Sequence, residues 1–226
     1  MTSVKAIVVA LLLAFIAVVA PAQKIRPTDG EKVRVPKVAL WPSIFTEEDE
    51  ACDNKTAIRT CSEALDEIFQ NLGFEKEDQG KVNGVINQLG LRSGTKELAT
   101  PEDMLRLGKE LKVDYVVATK WHWHIKTILA AGLKTKACCT FETLIINVAK
   151  EEIDFRPEPY KCDSEKRLSN EEVAGFLLVS ILVPVISGGP KTPHMERSGK
   201  IGCVVALKPW LDKQQPAQDK KIKLGK

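Results

Sequence analysis

Two segments, Asp114–Leu129 and Leu133–Val148, constrain this chain more than any other part of it. Both alternate apolar or β-branched residues with polar ones, the pattern of half-buried strands. Only Ala130-Ala131-Gly132 separates them. A three-residue hairpin loop takes a type I turn followed by a left-handed residue, a role that Gly132 fills without steric cost. That turn pairs Leu129 with Leu133 and sets every rung beyond. Trp121, Trp123 and Ile125 then share a face with Phe141, Cys139 and Ala137. Lys120, His122 and His124 stand beside Glu142, Thr140 and Cys138, with Lys120 opposite Glu142. A slip of one residue would mix the two faces, so the register is strongly specified. Nearer the hairpin base the second face turns apolar, through Val116, Leu144, Ile146 and Val148, and needs a cover.

The remaining elements follow from periodicity. Val35–Leu40 reads as a short strand, with Pro36 tolerated at its beginning or at an edge, and Trp41-Pro42-Ser43 ends it. Ile58, Cys61, Leu65, Ile68, Phe69 and Leu72 line one face of a helix, and Gly73 is placed to cap it. A weaker helix over Gly80–Leu89 presents Val82, Val85, Ile86 and Leu89. Thr100-Pro101-Glu102-Asp103 starts a third: a capping hydroxyl, a proline at the first helical position and acids against the dipole. Its buried face is Met104, Leu105, Leu107 and Leu111. Ile153–Phe155 extends the sheet through a turn near Lys150-Glu151. Val173–Ile186 is apolar on every side, hence a buried helix, and is the expected cover for the Val116/Leu144/Ile146/Val148 patch. A last helix runs from about His194 to Lys208 and stops before Pro209. The expected fold is α/β (α+β): one two-layer domain over residues 35–212, its mixed sheet built on a long antiparallel hairpin and packed on helices.

Met1–Ala22 reads as a secretory signal peptide. Lys5 supplies the positive start, Ala6–Ala20 the apolar run, and Ala20-Pro21-Ala22 the small-x-small cleavage pattern, so the mature chain begins at Gln23. The run is shorter than the ~20 residues that cross a bilayer. The protein is expected to be exported, periplasmic or extracellular, and to meet membrane only peripherally. Residues 23–34 are a polar lead-in. Residues 213–226 form a basic tail, with Lys213, Lys220, Lys221, Lys223 and Lys226 against Asp219 alone, expected to be disordered or to tether to anionic lipid or peptidoglycan. A net charge of +3 gives no sign of a nucleic-acid partner. The six cysteines, an even number behind a signal peptide, predict disulfides. Cys52 pairs with Cys61, Cys162 with Cys138 or Cys139, and Cys203 with the other or with none.

The order strand, helix, helix, strand, strand, strand, helix in an exported chain resembles an envelope fold. That fold is shared by the amino-terminal domain of TolB, the periplasmic domains of the curli secretion channel and the penicillin-binding-protein activator lipoproteins. The phrase that carries the resemblance is Leu107-Gly108-Lys109-Glu110-Leu111-Lys112-Val113-Asp114-Tyr115-Val116-Val117. There a helix runs through a turn aspartate into the central strand. The resemblance spans about Val35–Leu211. It implies a non-catalytic domain that binds partner proteins, builds oligomers or contributes to a secretion channel. The chain departs from the family in lacking a lipid-acceptor cysteine, in having Lys150-Glu151-Glu152 where members have a Thr-Gly turn, and in carrying the added 173–186 segment.

His122-Trp123-His124 is the one constellation with chemical potential. Strand alternation puts both imidazoles on one face about 7 Å apart, a spacing that can chelate a metal ion, with Cys138 opposite His124 as third ligand. No other cofactor is expected. The motifs GxSxG and HExxH are absent, and Gly188-Gly189-Pro190-Lys191-Thr192 lacks the spacing of a phosphate-binding loop. The sequence therefore predicts an exported, non-enzymatic interaction or assembly module, an accessory factor of a secretion or cell-wall system. Its partner is another envelope protein or a second copy of itself. The competing expectation is a metal- or small-ligand-binding domain using His122 and His124.

Overall fold

The computed structural model describes residues 34–91, 96–129, 133–165 and 191–224. The signal peptide, its Ala22/Gln23 cleavage site, residues 23–33 and the 173–186 segment lie outside the described residues. In chain order the elements are β1 (Lys37–Leu40), β2 (Ile44–Glu47), β3 (Glu50–Ala51), α1 (Lys55–Asn71), β4 (Glu75–Lys76), α2 (Gln79–Gln88), α3 (Pro101–Leu111), β5 (Tyr115–Leu129), β6 (Leu133–Asn147), β7 (Glu152–Phe155), β8 (Tyr160–Asp163) and α4 (Thr192–Leu224).

β5 and β6 are the long hairpin, antiparallel in the expected register from Leu129↔Leu133 to Tyr115↔Asn147, with Lys120 facing Glu142. Around this pair the sheet is mixed. β1 runs parallel to β5 and to β4, β2 runs parallel to β5 and antiparallel to β3, and β7 and β8 both pair antiparallel with β6. β2, β3, β4 and β8 were not apparent from periodicity, because strands of two to four residues carry almost no alternation to detect.

β1 and β2 lie end to end along one edge of β5, but a bulge separates them. Leu40 pairs with Val117, whereas Ile44 pairs with Lys120, so Trp41, Pro42 and Ser43 oppose only Ala118 and Thr119. One extra residue reverses the side-chain alternation relative to numbering. Even-numbered Val38 and Leu40 thus share a core with odd-numbered Phe45, which stacks on Trp121 at a centroid distance of 4.9 Å.

The odd-numbered face of β5, with Val117, Trp121 and Trp123, is covered by α1 and α4. α1 begins where Asn54 accepts a hydrogen bond from the Ala57 amide and buries Cys61, Leu65, Ile68 and Phe69, as its periodicity predicts. α4 comes close enough to receive both indoles: Trp121 Nε1 donates to the Gly199 carbonyl at 3.3 Å and Trp123 Nε1 to that of Met195 at 3.1 Å. Each fully buried indole therefore has its polar edge satisfied. α4 does not stop before Pro209. It continues with helical backbone to Leu224, through the stretch expected to be disordered. The turn after the proline is held by tertiary contacts: Trp210 is fully buried and its Nε1 donates to Asp154 Oδ2 of β7 at 2.6 Å. Tertiary burial offsets the hydrogen bond that proline cannot make.

The apolar half of the opposite face, Val116, Ala118, Leu144, Ile146 and Val148, is covered by α2 and α3 through Val82, Ile86, Met104, Leu107 and Leu111. Residues 173–186, expected to cover this patch, lie outside the described residues. The mixed sheet packed on helices is as expected, with helices on both of its faces. The reason is that Val116 and Val117 point to opposite sides, and both sides are apolar at that end of the hairpin. Thr100 caps α3 as expected, accepting from the Asp103 amide at 3.2 Å, and Lys112 ends it in the left-handed conformation. The Lys150-Glu151 turn places Glu151 at φ 54°, with Asn147 Oδ1 accepting from the Lys150 amide.

Candidate functional site: a charged groove on the hairpin

α2 and α3 cover only the base of their face. Beyond them, among the described residues, the same face carries Lys120, His122 and His124 of β5 beside Glu142 and Thr140 of β6, with Thr46 of β2 on the other flank. Thr46, Asp49, Lys96, Glu97, Lys120, His122 and Glu142 line an open cavity of about 310 Å³ there. The β1–β2 bulge is what brings Thr46 to this face, since it puts Phe45 in the core and its neighbour opposite. Thr46, Asp49, Lys96 and Glu97 were not expected at any site. The alternation of Ile44-Phe45-Thr46-Glu47 is the one sequence signal for Thr46, and it is too short to establish a strand.

The groove floor is internally bonded. Thr46 Oγ1 lies 2.7 Å from His122 Nδ1, and Lys120 Nζ lies 3.5 Å from Glu142 Oε1. At one wall Glu48 and Asp49 form the two-residue turn between β2 and β3, at φ 47° and 68°. Both central residues left-handed is the geometry that suits a two-residue hairpin, but for side chains other than glycine or asparagine it carries strain. Three contacts hold the turn: the Glu48 amide donates to the Trp123 carbonyl at 2.9 Å, Glu48 Oε1 accepts from the Ile125 amide at 3.1 Å, and Lys96 Nζ donates to the Asp49 carbonyl. Asp49 Oδ1 stands 3.9 Å from His122 Nε2.

Burial pushes the His122 pKa down, and the neighbouring His124 adds to the shift, against the weaker pull of Asp49. His122 is therefore held as the neutral imidazole near neutral pH. The His122 and His124 rings meet edge to face at a centroid distance of 4.5 Å. Cys138 lies opposite His124 in register. Even so, among the described residues no three histidine, cysteine or acidic side chains are grouped so as to hold a metal ion. The His122/His124/Cys138 set expected from sequence is not assembled as a metal centre, and His122 Nδ1 is already engaged by Thr46.

No disulfide forms among the described residues. The expected Cys52–Cys61 bridge is absent. Cys61 points into the core, where a β-carbon on Gly199 would stand 2.5 Å from its Sγ, while Cys52 is half-buried near the start of α1. Cys138 turns toward the polar face and Cys139 into the core. Cys61, Cys139, Cys162 and Cys203 are all fully buried. Burial pushes the thiols of Cys61, Cys139 and Cys203 well up, so that they stay protonated.

No described helix is long and apolar enough to cross a membrane. Neither a protein-family model nor a curated protein matches the chain. Solved structures resemble it only distantly. Lipoprotein GNA1162 from Neisseria meningitidis is 10% identical, covers 63% of this chain and 92% of its own, and has a TM-score of 0.40. The LpoB C-terminal domain from Escherichia coli is 18% identical over 61% of this chain and 88% of its own, with a TM-score of 0.38. The hypothetical protein CT253 from Chlamydia trachomatis is 14% identical over 79% of this chain and 98% of its own, with a TM-score of 0.40. Likenesses at this distance place the chain in none of these families.

Proposed function

We propose that this chain is an exported, non-catalytic interaction module. It docks a protein partner, or a second copy of itself, on the groove bounded by Thr46, Asp49, Lys120, His122 and Glu142. The observation that carries the reading is that charged and polar residues on rigid strands, Thr46, Lys120, His122 and Glu142, converge with Asp49 on one cavity of about 310 Å³. Sites on strands are held more tightly than sites on loops. Both signs of charge are present, which suits a partner whose own surface alternates in sign. The strained Glu48–Asp49 turn at the wall supports the same location, since backbone strain gathers at functional sites. Export is supported by the composition of Met1–Ala22.

Two measurements test the reading. Amino-terminal sequencing of the mature protein is expected to start at or near Gln23, and an intact Met1 on the exported form would overturn the export claim. Cross-linked capture with the wild type and with Lys120→Glu is expected to recover one partner that the variant loses by tenfold or more. Equal recovery by both proteins would remove the groove from the binding surface.

A further inference from the structure

Four buried cysteines converge on the core between the sheet and its α1/α4 layer, one from each of α1, β6, β8 and α4. Their positions are not equivalent. Cys139 and Cys162 are direct partners on the antiparallel pair β6/β8, on adjacent strands and on the same, inward face. Adjacent strands lie about 4.8 Å apart and directly opposed residues have Cα atoms about 4.5–5.5 Å apart, inside the ~4.4–6.8 Å window that a disulfide requires. Cys138 is excluded by alternation: it opposes Asp163 and points to the other face. Cys61 and Cys203 belong to the helices packed on that face, and neither is a strand partner of Cys139.

We propose that Cys139 and Cys162 are a cross-strand disulfide site, closed when the chain folds in oxidising surroundings. The two thiols lose two protons and two electrons and form one S–S bond. A small-molecule or protein disulfide accepts the electrons and is itself reduced to two thiols. The strands must draw together by about 1 Å at this rung, because opposed Cβ atoms sit ~4.5–5.5 Å apart and a disulfide brings them to ~3.8 Å. β8 is well suited to yield. It has four residues and, among the described residues, pairs with β6 alone and forms an edge of the sheet. The Cys162 thiol donates to the Asp163 carbonyl at 3.6 Å. Oxidation happens before α4 seals the core, since neither sulfur is accessible afterwards. The bridge pins β8, and with it Ser164, whose Oγ accepts from the Ala137 amide and meets His194 Nδ1 at the start of α4. The site is independent of the groove, and its failure leaves the docking proposal untouched.

The test refolds the full chain in a mixture of reduced and oxidised glutathione, alkylates it in denaturant and maps the unreduced peptides. Cys138→Ala is mapped in parallel, because Cys138 and Cys139 share a peptide. The expected result is a peptide linking Cys139 to Cys162 in both proteins, and alkylated Cys139 in Cys162→Ala. Reductant should lower the melting temperature of the wild type and leave that of Cys162→Ala unchanged. Alkylated Cys139 in the wild type, or Cys139 bridged to Cys61 or Cys203, overturns the proposal. So does loss of the bridge in Cys138→Ala.

Discussion

Gly108 of α3 sits so close to Val148 of β6 that a β-carbon at position 108 would stand 2.4 Å from Val148 Cγ2, and 2.9 Å from Val116 Cγ2. This contact gives the glycine of the Leu107-Gly108 phrase a physical reason: it lets the helix lie directly on the two valines. Gly108→Ala gains helix propensity of about 1 kcal/mol but must displace packed side chains at about 1–3 kcal/mol. A net loss of stability is expected in urea denaturation. A variant as stable as the wild type would show that α3 sits further from the sheet.

The two indoles anchor the other layer. Trp123 is fully buried, and its Nε1 donates to the Met195 carbonyl. Trp123→Ala leaves a cavity and an unmet carbonyl, and is expected to cost about 3–5 kcal/mol, the range for a large aromatic removed from a core. A loss below about 1 kcal/mol in the same measurement would place Trp123 at the surface instead.

His122 makes stability depend on pH. Its pKa is lowered in the folded state, chiefly by burial, so the unfolded chain takes up a proton at higher pH than the folded one. Its contribution is present above the unfolded value of about 6.5 and is lost as pH falls through the folded value. His122→Gln is expected to flatten the decline of melting temperature on acidification in that window. An unchanged slope would mean that His122 titrates as a solvent-exposed imidazole.

Glu196 shows the opposite sign. Its carboxyl is buried at the α1–α4 interface, where Thr60 Oγ1 donates to it at 3.4 Å, and burial raises its pKa against the pull of Lys200. A raised carboxyl favours folding below the unfolded value of about 4.3 and loses that advantage as pH rises through the folded value. Glu196→Gln keeps an acceptor for Thr60 without the charge. It is expected to raise the melting temperature at pH 7 and to lose that gain near pH 4. A lower melting temperature at pH 7 would mean that the Lys200 attraction outweighs the burial cost.

The hairpin was legible because long strands with one buried face admit a single register, and the Ala130-Ala131-Gly132 spacing selected it. Helix α3 was legible because Thr100 and Pro101 mark its start chemically. The groove was half legible. Lys120, His122, His124 and Glu142 follow from the register, whereas Thr46 and Asp49 depend on a bulge at Trp41-Pro42-Ser43 that reverses the alternation of β2. A one-residue irregularity in a four-residue strand leaves no periodic trace. The end of α4 was misjudged because Pro209 is a local signal, and the burial of Trp210 against Asp154 is a tertiary one.

The central claim is that the groove is where this chain meets its partner. Site-specific photo-crosslinking tests it most directly, with the reactive side chain placed at His124, at Asp49 and, on the outer face of α1, at Arg59. The account predicts that His124 and Asp49 both cross-link to one and the same protein, while Arg59 gives little or no product. Equal yields at all three positions, or cross-linking confined to Arg59, would contradict it.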